Sequence, residues 1–153
     1  MSTVSSQFDL QTRLFRNTLD GVTDAEAGNR PSAHSNHIKF IAGHLVFTRL
    51  MMKDFAGLPA DDRFNQFDKN MDPNAEYLPM ATILAKWDEI SGPLSAALQN
   101  LPAEMLGADA PFPVPTGKSI QDLLDFLMHH EAYHIGQLGI LRKFAGKEAM
   151  KYN

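Results

Sequence analysis

An all-α fold, a bundle of four helices, is what this sequence predicts, on three observations. Four amphipathic segments repeat apolar residues at spacings of three and four. Proline- and glycine-rich stretches separate them. No segment sustains the period-two alternation and β-branched enrichment of a strand. Four helices of this length are the sequence picture of a four-helix bundle.

The first helix is expected from about Ser6 to Asp20, on a stripe of Phe8, Gln11, Phe15, Leu19 and Val22 with Leu14 alongside, and Gly21 stops it. Thr23-Asp24-Ala25-Glu26 has capping-box spacing and opens one short helical turn before Pro31. The second helix carries His37, Ile41, His44, Thr48, Met51 and Phe55 at alternating spacings of four and three. Ile38, Leu45 and Met52 form its neighbouring stripe, and Gly57-Leu58-Pro59 ends it. From Pro59 to Pro79 the chain is polar and aromatic, which predicts loop.

Pro79 suits the first turn of the third helix. Its seam is Ile83, Trp87, Ile90, Leu94, Ala97 and Leu101, with a kink or an early stop expected at Gly92-Pro93. Pro111, Pro113, Pro115 and Gly117 make a stiff connection. Ser119, with Asp122 three residues on, N-caps the last helix. That helix runs Ile120, Leu123, Leu127, His130, His134, Gln137 and Leu141 along one seam, with Leu124 and Leu138 flanking, to near Gly146.

Residues 1–153 make one domain, long enough to bury a core. Fourteen basic and 18 acidic residues are interleaved, and the net charge of −4 argues against a nucleic-acid partner. With no cysteine there are no disulfides, no thiolate ligands and no cysteine nucleophile, which fits a reducing compartment. Met1 to Leu10 lacks the charged start and apolar core of a signal peptide. No apolar run approaches the roughly 18 residues of a membrane span. A cytoplasmic protein without a membrane partner is expected.

The chemistry lies in the histidines. His130 and His134 are four apart, one helical turn, and occupy a face where leucines stand before and after them. His44 lies far upstream between Ile41 and Thr48 on its own stripe. A buried imidazole needs partners for both nitrogens or costs about 1–3 kcal/mol. Backbone carbonyls, water or one another can supply them, and so can a cation taking one nitrogen from each. Three such residues on two seams favour the cation. His37 lies two turns before His44, about 10 Å along the axis, and is expected in the core or behind the ligands. His34 and His129 are expected at the surface.

Ala42-Gly43-His44-Leu45 and the run from His130 to Leu138, HEAYHIGQL, resemble the DinB-like family of four-helix bundles, also called the damage-inducible or YfiT type. Thr23-Asp24-Ala25-Glu26 with Arg30-Pro31, and the tail from Gly146 to Tyr152, extend the resemblance over most of the chain. The resemblance implies an up-down-down-up bundle and a divalent ion held by His44, His130 and His134. It implies nickel, zinc or an iron-like ion, a homodimer, and a small-molecule substrate such as a low-molecular-weight thiol; imidazole ligands alone would admit manganese as well. The activity so implied is a metal-dependent thiol S-transferase or hydrolase. The alternative is a non-catalytic, stress-associated bundle whose metal is structural or absent.

His130-Glu131-x-x-His134 also satisfies the HExxH pattern of zinc metalloproteases. The extended pattern needs Gly and His where this chain has Gln137 and Ile140, and only nineteen residues follow His134. Glu131 is nonetheless a candidate general base for a metal-activated water or thiol. It could also orient a ligand nitrogen or, the commonest fate of a glutamate, pair with a cation on the surface. Gln137, a turn after His134, could donate to a bound water or fill the seam.

Overall fold

The computed structural model describes residues 3–68 and 70–152, apart from the side chains of Thr3 and Phe55. Met1, which opens the stretch lacking a signal peptide, and the Phe55 side chain expected on the second stripe therefore lie outside the described residues. Four long helices dominate: α1 (Thr3–Leu19), α3 (Ile38–Leu50), α5 (Met80–Gln99) and α7 (Ile120–Phe144). Short helices α2 (Asp24–Ala27), α4 (Lys53–Ala56) and α6 (Ala103–Leu106) punctuate the connections, with a 3-10 turn at Asp62–Phe67.

Local chemistry sets the helix ends. Both expected capping boxes form, Thr23 with Glu26 and Ser119 with Asp122, each satisfying two orphan N–H groups. Gly21 and Gly57 take left-handed φ values of 69° and 61° after their helices, a conformation that only glycine enters cheaply. The α5 N-terminus follows Pro79, which offers no side-chain acceptor, so the Met80 N–H donates to Asp24 of α2 at 2.8 Å.

Three expectations are corrected. The second helix breaks after Leu50: Met52 turns into the core while Met51 stays exposed, and the chain restarts as α4. Pro93 does not stop α5; it sits on the exposed face, and the buried seam runs on through Leu94, as expected, to Leu98 in place of Ala97 and Leu101. The proline-rich connection contains a two-stranded antiparallel ribbon, β1 (Asp109–Val114) and β2 (Gly117–Ser119). Pro111 and Pro113 are two apart, so their missing N–H groups share one edge, and a two-stranded ribbon leaves one edge of β1 unpaired.

Two apolar clusters fill the bundle. One gathers Phe8 of α1, Met52, Leu94 and Leu98 of α5, and Ile120 to Leu127 of α7. The other gathers Phe15 and Leu19, Ile38 to Leu50, Met80 to Ile90, and Ile135 to Leu141. The start of α1 thus lies with the start of α7 and the end of α5. Hence α1 and α7 run one way, α3 and α5 the other, the up-down-down-up arrangement. Between the clusters lies a polar layer of Gln11, Thr12, Arg49, Ser91 and Glu131. Among the described residues no helix is long and apolar enough to cross a membrane.

Candidate metal centre

Helix α3 supplies His44 and helix α7 supplies His130 and His134. The three rings meet where the two helices touch, and all three are half-buried. The centre of the α7 seam runs elsewhere, through Leu124, Leu127, Glu131, Ile135 and Leu138. The histidines therefore flank the core, at its edge, and do not occupy its middle as the sequence seam implied. That offset leaves one side of the rings toward solvent.

The Nε2 atoms converge. His130 Nε2 lies 3.2 Å from His44 Nε2 and 3.1 Å from His134 Nε2. The candidate donor atoms all lie within 4.8 Å of one another. Two outer nitrogens are committed the other way. The His44 Nδ1–H donates to the Phe67 carbonyl at 2.7 Å, and the His134 Nδ1–H donates to Gln137 Oε1 at 2.7 Å. These bonds fix the tautomer, leaving an Nε2 lone pair on each ring aimed at His130. The His130 Nδ1 is buried and has no hydrogen-bond partner.

This donor set fits a transition-metal ion. A proton on His130 Nε2 would have to be shared between two lone pairs, whereas a cation takes one from each ring. Metal–nitrogen bonds of about 2.0–2.1 Å separate two donors by about 3.3 Å at a tetrahedral angle and about 2.9 Å at a right angle. The observed 3.1 and 3.2 Å fall between those values. Burial, aided by repulsion from His134, His44 and His129, pushes His130 down to about 4, and burial also lowers His134. Both rings are thus neutral near pH 7, the form that ligates. Nitrogen donors suit nickel, zinc, iron or manganese and speak against magnesium and calcium.

The other candidates fall as follows. Glu131 is not at the imidazoles: it is 1% exposed and accepts both arms of Arg49, Nε to Oε1 at 2.7 Å and Nη2 to Oε2 at 3.0 Å. It lies about 100° round α7 from His130, so the general-base role expected for it has no free carboxylate oxygen to rest on. The protease pattern lacks a free glutamate for the same reason, and the third imidazole beside its pair is the upstream His44. His37 is the N-cap of α3, its Nδ1 accepting the Phe40 N–H at 2.9 Å. His34 and His129 are exposed. Gln137 is half-buried beside the seam; it orients His134 and donates from Nε2 to the Tyr133 hydroxyl at 3.0 Å.

Three contributors escaped the sequence reading. The Phe67 carbonyl comes from a stretch read as loop. Gly43 makes room for it, because a Cβ there would collide with the Phe67 ring. Arg49 is the third, and its signal was present: it continues the apolar stripe Ile38, Ala42, Leu45, Met52, as Glu131 continues Leu124, Leu127, Ile135, Leu138. Opposite charges in two facing apolar stripes predict a buried pair.

Residues 7–138 match the sequence model of the DinB superfamily. The chain is 24% identical over 140 residues to the uncharacterized protein YuaE of Bacillus subtilis (strain 168), covering 80% of this chain and 86% of that one. Its fold is similar to the crystal structure of a DinB-like protein from Bacillus subtilis, with a TM-score of 0.70 at 15% identity over 98% of this chain and 96% of the other.

Proposed function

We propose that this chain, which belongs to the DinB superfamily, holds a divalent transition-metal ion on His44, His130 and His134 and uses it as a thiol S-transferase or hydrolase of a small molecule. The observation that carries the reading is the convergence of three Nε2 atoms whose rings are held by outward hydrogen bonds on two of the three. A metal bound there would keep nearly its full charge, because all three ligands are neutral, and would supply Lewis acidity toward a thiol or water. Nickel or zinc suits the donor set best, followed by iron or manganese.

The protein's own groups divide the remaining work. Phe67 and Gln137 hold two ligands in orientation. Tyr133, 58% exposed, receives the Gln137 N–H and keeps its own hydroxyl proton to donate toward a bound substrate. A groove of about 470 Å³ beginning at Gln137, floored by Ile41, Ile140, Leu141 and Phe144, is of a size to take a small-molecule body. With the Glu131 carboxylate engaged by Arg49, a proton lost from a thiol would pass to solvent at the half-open face. The chain would act as a homodimer, and a cytoplasmic location suits the cysteine-free composition.

The test is elemental analysis of the native protein and of His44→Ala and His134→Ala, with thiol-transfer and hydrolysis assays on the loaded protein. One ion per chain, lost in both variants, together with turnover in the native protein, is expected. Full occupancy in His44→Ala would overturn the three-histidine site. A loaded protein silent in every assay would favour the non-catalytic bundle, which the engagement of Glu131 also favours; metal removal would then lower the melting temperature alone.

A further inference from the structure

The buried pair Arg49 and Glu131 has so far only closed off one role for the glutamate. Its own bonding is extensive. The guanidinium donates to Glu131 of α7 through two bonds, to Thr12 Oγ1 at 2.8 Å and the Phe8 carbonyl at 3.2 Å on α1, and to Ser91 Oγ at 2.7 Å on α5. It also lies 3.6 Å over the Trp87 ring. One side chain of α3 therefore touches all three other long helices, and both partners of the ion pair are 1% exposed.

We propose that Arg49 and Glu131 are positioning residues for the three-histidine centre, fixing the register of α3 against α7 so that His44 meets His130 and His134. The proposal rests on the metal reading of that centre. Glu131 is the residue after His130, and Arg49 follows His44 by little more than one helical turn. Apolar contacts between helices are non-directional and tolerate sliding, whereas a bidentate fork does not. Metal–ligand distances are met only within about 0.2 Å, so a slip that an apolar core absorbs would open the site. A buried ion pair adds little stability over a well-packed apolar pair, and its directional content is what remains to explain it.

The decisive variant is Arg49→Met with Glu131→Leu. Removing both charges leaves no orphan, since Thr12 Oγ1 still donates to the Phe8 carbonyl at 2.8 Å and Ser91 Oγ to the Trp87 carbonyl at 2.5 Å. The double variant should unfold cooperatively at a melting temperature close to that of the parent. Its zinc affinity, measured by chelator competition, should fall about 10–100-fold, and the visible spectrum of its cobalt form should change. Parental zinc affinity and cobalt spectrum in a folded double variant would overturn the proposal. Should that variant not fold, Arg49→Lys keeps the charge and loses the fork; it should bind zinc about 10-fold more weakly, and unaltered affinity there would overturn the proposal equally. A parent protein that takes up neither zinc nor cobalt would sink the metal reading itself, and this proposal with it.

Discussion

Replacing Gly43 with alanine tests how the crossover between α3 and α5 serves the histidines. A Cβ at position 43 would overlap three atoms of the fully buried Phe67 ring. Carbon atoms rest at about 3.5–4.0 Å, so the ring must retreat by more than about 1 Å. Its own carbonyl accepts the His44 Nδ1–H at 2.7 Å, and a shift of about 1 Å carries that bond beyond useful length. Two effects follow. Overpacking should cost about 1–3 kcal/mol, a fall of about 2–12 °C in melting temperature for a domain of this size. Losing the orienting acceptor should weaken metal binding about 10–100-fold. The assay pairs thermal unfolding with zinc competition against a chromophoric chelator. Gly136→Ala is the control, since a Cβ there meets nothing within 4 Å, and it should stabilise α7 by up to about 1 kcal/mol with zinc affinity intact. Parental zinc affinity in Gly43→Ala would refute the orienting role of Phe67.

Other outcomes follow from the same geometry. Gln137→Leu removes the acceptor behind His134 and should weaken zinc about 10-fold, while Gln137→Glu should restore or exceed parental affinity; titration of both variants checks this. In the metal-free protein His130 sits near 4 when folded and near 6.5 when unfolded. The unfolded chain therefore binds the proton first, and stability should fall as pH drops from about 6.5 to about 4, with a shallower slope in His130→Leu; melts across that range measure it. His37→Ala should cost about 1 kcal/mol through the lost N-cap, His37→Asn should recover most of it, and neither should alter zinc binding. Glu131→Leu alone strands the Arg49 charge and should cost about 3–5 kcal/mol in chemical denaturation.

Much of this architecture was written locally. Periodicity marked the four long helices, and the caps at Thr23 and Ser119 marked two starts within a residue, because a capping box is a contact among four consecutive residues. The histidine trio was legible because His130 and His134 share a turn and His44 stood out among apolar neighbours. What stayed hidden depends on residues distant in sequence. Glu131 read as an edge residue because its charge implies solvent, and only Arg49, 82 positions away, makes burial affordable. Phe67 enters through its backbone carbonyl, which no side-chain pattern records. The ribbon at Asp109–Ser119 was masked by prolines that ordinarily argue against strands.

The separation of the three histidines along the chain has a bearing on how a metal would reach the centre. His44 and His130 are 86 positions apart, so during vectorial synthesis the first ligand leaves the ribosome many seconds before its companions. The pair on α7 offers just two nitrogens to any ion met early, and the third arrives only when α3 docks. Any selection among metals would therefore be made by an already assembled scaffold, where supply and exchange at the open face would decide which ion stays.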